Sequence, residues 1–230
     1  MSSIRSFLAQ IPLFKDAPPR ALDLATEAAQ LRRYDTNTIV FQEGETGEAL
    51  YILESGVVKL SKVDLDGHEK TLAILRPPEF FGEMALLTQL SHSATALSLN
   101  KVSAYILFKD DFFKLMNSYA TFSLSLTATL ATRLKGMYDE AQILSYKDAQ
   151  GRVAYVLLRL YHNGFIEFTD ASLALIRLTH QDIASLAGTS RETVTRALKS
   201  LEGEGVISTR PKEVVINDPE GLEEILHGVR

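Results

Sequence analysis

Residues Thr179–Leu201 read THQDIASLAGTSRETVTRALKSL, and this stretch decides the fold of the C-terminal part of the chain. The spacing from Thr179 to Asp182 is that of a capping box, which predicts the start of one helix. The spacing from Thr189 to Glu192 offers a second capping box for a second helix. Two consecutive amphipathic helices are therefore expected here.

The connection between the two helices has the pattern of a helix-turn-helix. Gly188 stands where a tight turn needs a residue that is free to adopt a positive φ. Ala184 is small where the helices must approach closely, and Val194 is aliphatic where they pack. Residues 206–216 then read as two short β-rich runs around Arg-Pro-Lys, which predicts a hairpin. Together these features predict a winged helix-turn-helix.

The start of the second helix carries three side chains that are suited to reading bases. In a helix-turn-helix, this end of the second helix enters the major groove. Arg191 and Arg196 can each bind O6 and N7 of guanine, and Glu192 can accept from N4 of cytosine. Two alternatives stay open: Glu192 as a helix cap, and Glu192 with Arg196 as an i,i+4 ion pair on a solvated face.

The chain has 230 residues and a net charge of −5, so its bulk charge does not favour a nucleic-acid partner. DNA binding must rest on a local patch, and residues 189–212 hold 5 basic against 3 acidic side chains.

The absence of cysteine excludes disulfides, cysteine-ligated zinc and iron–sulfur clusters. The first residues lack a signal-peptide pattern, and the uncharged run 115–132 is too polar for a membrane span. We expect a cytoplasmic protein with no membrane partner.

Short β-rich runs broken by glycine follow one another about every ten residues between 33 and 108. Turns are expected at Gly44, Gly56, Gly67 and Gly82. The pair Asp66–Gly67 between two such runs is a strong hairpin signal. This region is predicted to be an antiparallel β sandwich or barrel.

Beyond residue 110 the apolar period becomes helical, with a spacing of 4, 3, 4, 3 that is typical of a coiled-coil seam. We expect this helix to form a homodimer; the alternative is that its apolar stripe packs against the chain's own barrel. The predicted domains are a β domain at 1–109, a dimerisation helix with a hinge at 110–147, and the winged helix-turn-helix at 148–230. The predicted seam consists of Leu130, Leu134, Met137, Ala141 and Leu144.

The sequence resembles the family of the bacterial cyclic AMP receptor protein and the fumarate–nitrate regulator. The similarity lies in GETGEALYILESGVVKL (44–60), PEFFGEMALL (78–87), QGRVAYVLLRL (150–160) and the run 178–208. The resemblance implies an α+β fold: an antiparallel jelly-roll sensor of the cyclic-nucleotide-binding type, a long dimerisation helix and a C-terminal winged helix-turn-helix. It also implies a homodimeric transcription regulator, not an enzyme, that binds double-stranded DNA and contacts RNA polymerase.

The DNA target implied by the resemblance is an inverted repeat with TGTGA-like half-sites. Arg191, Glu192 and Arg196 match the base-reading positions of the family. We predict contacts to the DNA backbone from seven further polar side chains: Thr179, Gln181, Ser190, Thr193, Lys199, Arg210 and Lys212.

The effector pocket departs from the family at its phosphate site. In nucleotide-binding members, a Phe-Gly-Glu motif opens a short helix that cradles the phosphate, and an Arg-Ser pair neutralises it. The motif and the serine are present here, whereas His92 replaces the arginine and a neutral imidazole carries no fixed charge. Methionine and tyrosine occupy the two positions where the family contacts adenine. The candidate pocket comprises Gly82, Glu83, His92, Ser93, Met137 and Tyr138.

Three possibilities for the β domain stay open: an altered cyclic-nucleotide site, a site for another small effector, and no effector. We expect no required cofactor and no metal, with cyclic AMP or another small molecule as an optional effector. One alternative function is a cyclic AMP-dependent regulator with altered phosphate contacts. The other is a cupin-like metal enzyme fused to a helix-turn-helix, but such enzymes need clustered ligands and this barrel offers only His68 and His92.

Overall fold

The computed structural model describes residues 2–64, 66–67, 69–162, 167–168, 174–176, 178–210 and 213–229. The chain divides into two compact units, Met1–Lys135 and Gly136–Arg230. None of the helices in the described ranges is long and apolar enough to cross a membrane.

The N-terminal unit begins with helices and continues as strands. Its first elements are α1 (Ser2–Leu8), a short 3-10 helix (Pro12–Phe14) and α2 (Pro19–Ala28). The strands are β1 (Gln30–Tyr34), β2 (Ile39–Phe41), β3 (Ala49–Ser55), β4 (Val58–Val63), β5 (Glu69–Leu75), β6 (Phe80–Phe81), β7 (Thr95–Ser98) and β8 (Val102–Phe108). Helix α3 (Glu83–Thr88) lies between β6 and β7, and α4 (Lys109–Ser118) follows β8. Helix α5 (Ala120–Tyr146) comes next and continues from the first unit into the second.

Two antiparallel four-stranded sheets form the predicted jelly roll. The strand order is β1-β8-β3-β6 in one sheet and β2-β7-β4-β5 in the other. Leu53 of the first sheet shares a buried core with Phe41 and Val58 of the second, because alternate side chains of each strand point inward. The hairpin at Asp66–Gly67 is confirmed: β4 pairs with β5, and Gly67 has a φ of 85°.

A second core lies between the helices and the other face of β3, where Leu50 and Ile52 point. The long helix predicted within 110–147 is interrupted at Tyr119, whose extended backbone (φ −135°, ψ 98°) separates α4 from α5. An uninterrupted helix would continue in a straight line, advancing about 5.4 Å with each turn, and its later residues would lie away from the core beside β3. The interruption lets four buried side chains face it: Phe112 and Leu115 before the break, Phe122 and Leu126 after it.

Among the described residues, the C-terminal unit has four helices after α5: α6 (Ala149–His162), α7 (His180–Ala187), α8 (Arg191–Gly203) and α9 (Pro219–His227). Its strands are β9 (Glu167–Phe168), β10 (Ala174–Ile176), β11 (Ile207–Arg210) and β12 (Glu213–Ile216). These strands form an antiparallel sheet of order β11-β12-β10-β9. Strands β11 and β12 are the predicted wing, whereas β9 and β10 were not predicted. They are two and three residues long, too short for a pattern to show.

Candidate nucleic-acid interface and effector site

The first helix of the helix-turn-helix starts and ends where the sequence predicts. The hydroxyl of Thr179 accepts from the backbone N–H of Asp182, and the Asp182 carboxylate accepts from the backbone N–H of Thr179. This capping box opens α7. Gly188 ends α7 in the left-handed conformation, with φ 58° and ψ 45°. Ala184 and Val194 are fully buried, so the two helices approach closely.

The second helix starts one residue later than the predicted capping box requires. Its N-cap is Ser190, whose hydroxyl accepts from the backbone N–H of Thr193 at 3.2 Å. The box predicted from Thr189 to Glu192 is therefore wrong. Thr189 belongs to the preceding turn, because its backbone N–H donates to the carbonyl oxygen of Ala184.

The three candidate base-reading residues lie along one side of α8. Arg191, Glu192 and Arg196 are all exposed, whereas the opposite side of the helix is buried in its own unit. This amphipathic arrangement fixes which side of α8 is available to a partner. The buried side consists of Val194, Ala197, Leu198 and Leu201.

Neighbouring groups lower the pKa of Glu192 and hold the side chain of Arg196 by a hydrogen bond. The backbone N–H at the start of α8, followed by the Ser190 hydroxyl, lowers the pKa of Glu192, so this exposed carboxylate is an ionised acceptor at neutral pH. Nη2 of Arg196 donates to Oγ1 of Thr193 at 3.1 Å, and Oγ of Ser190 donates to the same oxygen at 3.1 Å. The N-cap of α8 is thus connected to the Arg196 guanidinium.

The wing is held beside α8 by a carboxylate. Oε1 of Glu202 accepts from the backbone N–H of Thr209 at 2.7 Å and from its hydroxyl at 3.0 Å. This bond places Arg210, the next residue, at the end of β11. Five of the predicted backbone-contacting residues are exposed: Thr179, Gln181, Ser190, Lys199 and Arg210. Thr193 is half-buried, and Lys212 lies outside the described residues.

The candidate effector site starts at Gly82, which precedes α3 with φ 88° and ψ −7°. A Cβ atom at this position would lie 2.8 Å from the Ala49 carbonyl oxygen, so glycine alone fits there. Glu83 is the first residue of α3 and is 4% exposed. Burial raises the pKa of Glu83, and the charge of Arg133 opposes the rise.

Arg133 of α5 contacts the candidate effector site and was not identified from the sequence. Its Nη1 donates to Oε1 of Glu83 at 2.8 Å, and its Nη2 donates to Oε2 of Glu79 at 2.8 Å. Nη2 also donates to the carbonyl oxygen of Phe80 at 2.7 Å, and the guanidinium lies 4.5 Å from the centroid of that ring. One sequence signal was present: Arg133 is the first charged residue of α5.

His92 is buried, with 6% of its surface exposed, and packs among aromatic side chains. Its ring stacks on Phe41, with centroids 3.6 Å apart and planes 6° apart, and Phe41 also contacts Phe81. Burial lowers the pKa of His92 while Glu45 opposes that change, so the imidazole is neutral at neutral pH. Ser93, the next residue, is exposed.

Helix α5 carries the remaining predicted effector and seam residues. Leu130 packs against the core of the N-terminal unit. Leu144 lies beside the turn of the helix-turn-helix, where a Cβ atom on Gly188 would be 3.2 Å from its Cδ2. The other residues are exposed: Leu134, Met137, Tyr138 and Ala141.

Two family models match the chain: a cyclic nucleotide-binding domain over residues 31–119 and a Crp-like helix-turn-helix domain over residues 151–225. The chain is 39% identical to the cyclic AMP receptor protein of Thermus thermophilus over 218 residues, 95% of this chain and 98% of that protein. It is 33% identical to the CRP-like cAMP-activated global transcriptional regulator of Mycobacterium tuberculosis over 215 residues, 94% of this chain and 96% of that one. The chain belongs to the CRP/FNR family of transcription regulators.

Comparison with a solved structure also supports membership of this family. The crystal structure of the Thermus thermophilus catabolite activator protein aligns with a TM-score of 0.54 at 39% identity, covering 95% of this chain and 100% of that one. Membership of the CRP/FNR family identifies a transcription regulator and sets aside the metal-enzyme alternative. His68, one of the two histidines considered for that alternative, lies outside the described residues.

Replacing Arg133 by methionine is expected to destabilise the N-terminal unit by leaving Glu83 buried without its counter-ion. Breaking a fully buried pair costs about 3–5 kcal/mol. The Arg133 side chain is 30% exposed, so we expect a smaller loss of about 2 kcal/mol in the free energy of unfolding. Denaturant titration at fixed protein concentration measures the change. The variant Lys135→Met, at an exposed position of the same helix, is the control.

The loss of stability in Arg133→Met should depend on pH, and its direction follows from the pKa of Glu83. The folded chain keeps a proton on Glu83 above the ordinary pKa of 4.5, so Glu83 contributes stability at acidic pH that is lost as pH rises through the folded-state pKa. Without Arg133 this pKa rises further, so Arg133→Met should cost more at pH 7 than at pH 5. Adding Glu83→Gln should remove the difference. A pH-independent loss would show that the Arg133–Glu83 charge pair is not its cause.

Proposed function

We propose that this CRP/FNR-family chain is a homodimer that reads an inverted repeat with TGTGA-like half-sites. The proposal rests mainly on one observation: Arg191, Glu192 and Arg196 share the exposed side of α8, while its other side is buried. A helix held in this way presents its first turns to the major groove. Guanidinium forks then bind guanine, and the carboxylate accepts from cytosine.

Contacts to phosphates complete the proposed interface. Hydroxyl and amide groups at the starts of α7 and α8 lie where a helix-turn-helix meets the DNA backbone: Thr179, Gln181, Ser190 and Thr193. Lys199, Arg210 and Lys212 add positive charge in an otherwise acidic chain. We further propose RNA polymerase as a partner and the cytoplasm as the compartment, on the grounds of family membership.

The dimer is proposed to form along α5, with a seam that differs in part from the predicted one. Leu130 and Leu144 already have neighbours within their own units. A repeat with spacing 3, 4, 3, 4, 3, apolar except for one threonine, remains exposed on this helix, and Leu124 within it is 68% exposed. Such a repeat is the pattern that a second helix covers in a two-stranded coiled coil. Its members are Leu124, Thr127, Ala131, Leu134, Tyr138 and Ala141.

We propose that DNA binding does not require cyclic AMP. A cyclic phosphodiester carries one negative charge, which must be compensated when it is buried. His92 is buried and neutral, and the guanidinium of Arg133 already binds Glu83 and Glu79. The described groups of this pocket therefore offer a phosphate no free positive charge, and a different small effector or none fits them better.

The unmodified protein is expected to shift a duplex with a TGTGA inverted repeat without cyclic AMP in a mobility-shift titration. Arg196→Ala should cost about 1–3 kcal/mol and relax the base preference at one half-site position. Lys199→Ala is the matched variant on the same helix. It should weaken all sequences alike and reduce the salt slope by about 1. A uniform loss in both variants would contradict the assignment of Arg196 to base reading.

The pair of substitutions Leu134→Glu and Tyr138→Glu is expected to yield monomers in sedimentation velocity. Two charges on the seam cannot be buried between helices, and losing the second half-site contact should reduce DNA affinity roughly 10²-fold or more. Thr132→Glu with Gly136→Glu places two charges at the same spacing off the seam, and this control should stay dimeric. An unchanged sedimentation coefficient in the seam variant would refute the proposed dimer.

The second candidate function is a cyclic AMP-dependent regulator with altered phosphate contacts. It is favoured by the 39% identical relative, which is named a cyclic AMP receptor protein. In that case protonated His92 would be the phosphate partner, and the affinity for cyclic AMP should rise as the pH falls from 8 to 6.

Calorimetry with cyclic AMP separates the two candidates. We expect weak or no binding at pH 8 in the unmodified protein, because His92 is then neutral. His92→Arg supplies a permanent charge and should bind tightly at every pH tested. Micromolar or tighter binding at pH 8 in the unmodified protein would support the second candidate instead.

A further inference from the structure

A chain of two hydrogen bonds connects the starts of the two helices of the helix-turn-helix. Nδ1 of His180, the first residue of α7, lies 3.0 Å from Oγ1 of Thr195 on α8. Oγ1 of Thr195 donates to the carbonyl oxygen of Arg191 at 2.9 Å. The hydroxyl of Thr195 therefore links the imidazole of His180 on α7 to the first carbonyl group of α8.

The His180 end of this contact belongs to the first turn of α7. The capping box of Thr179 and Asp182 surrounds His180 in the sequence and fixes the backbone from which the imidazole extends.

The two hydrogen bonds end at Arg191, in the first turn of α8, and this turn gains most from a contact with α7. Arg191 is the first residue of the helix, where the backbone N–H groups have no partners inside the helix and the turn is held less firmly than the helix interior. A bidentate contact to a base requires its side chain to be held within about 0.5 Å. A bond that ties the first carbonyl of α8 to α7 limits the movement of this turn.

We infer that His180 is a positioning residue for base reading, acting on Arg191 through the hydroxyl of Thr195. The inference rests on the proposed function, in which Arg191 contacts a base. His180 acts on the placement of Arg191 and not on the total charge of the interface. Its loss should therefore reduce discrimination between bases more than the overall affinity for DNA.

The test uses the full-length protein and fluorescence anisotropy on three kinds of duplex: the TGTGA inverted repeat, repeats with single-base substitutions, and an unrelated sequence. Thr195→Val removes the hydroxyl and keeps the branched shape of the side chain. We expect it to reduce the ratio of affinities at the base position read by Arg191 by roughly 3- to 10-fold, as for the loss of one hydrogen bond. Affinity for the unrelated duplex and the thermal midpoint should stay unchanged.

Two further variants make the result decisive. Thr195→Ser keeps the hydroxyl and should restore the discrimination. His180→Ala should reproduce the effect of Thr195→Val, and neither should have any further effect in an Arg191→Ala background.

Three outcomes would overturn the inference, and they differ in whether the proposed function fails with it. If Arg191→Ala lowers discrimination while Thr195→Val does not, the inference fails and the proposed function stands. Equal losses on cognate and unrelated duplexes in Thr195→Val show a general effect on folding and overturn the inference alone. If Arg191→Ala itself leaves discrimination unchanged, the base-reading assignment and the inference fail together.

Discussion

The buried carboxylate of Glu83 needs a cation, and Arg133 of helix α5 supplies it. This pair fixes the middle of the long helix against the β-roll at the point where the first helical turns, through Phe122 and Leu126, leave the core. The helix thus has two different surfaces. One is buried in the N-terminal unit, and the other is exposed and is the surface proposed to pack against a second copy of the chain. Arg133 and Leu134 are adjacent in sequence, yet they lie on these two different surfaces.

The same pair determines which charges are available in the candidate effector pocket. A phosphate bound in such a pocket needs a cation. Here the guanidinium of Arg133 is shared between two carboxylates, and His92, which the family resemblance assigns to the phosphate, is stacked on Phe41 and neutral. A phosphate would have to displace Glu79 or Glu83 from Arg133. Exchanging one carboxylate for one phosphate changes the charge balance little and gives a weaker driving force than a free arginine.

Local patterns predicted the fold and the exposed side of α8 that carries the candidate DNA-reading residues, whereas contacts between distant residues could not be predicted. The capping box of Thr179 and Asp182 spans three residues, so the sequence shows it directly. The start of α8 was missed by one residue because Thr189 and Ser190 can both cap a helix, and only the turn contact of Thr189 decides between them. Arg133 and Glu83 are 50 residues apart, and no periodicity connects them. The helical period likewise fits two neighbouring stripes of α5, and only the packing of Leu130 distinguishes them.

An acidic regulator places a particular demand on its DNA contacts. Affinity for any DNA sequence comes mainly from phosphate contacts and counterion release. A chain with a net charge of −5 has little of this general attraction outside its local basic patch. Contacts to bases must then provide a larger share of the binding free energy, and these contacts tolerate less movement than those to phosphates. The hydrogen bonds between Ser190 and Thr193 hold the first turn of α8 in place. If this turn reads bases as proposed, holding it in place contributes more to DNA binding in this acidic chain than it would in a basic regulator with many phosphate contacts.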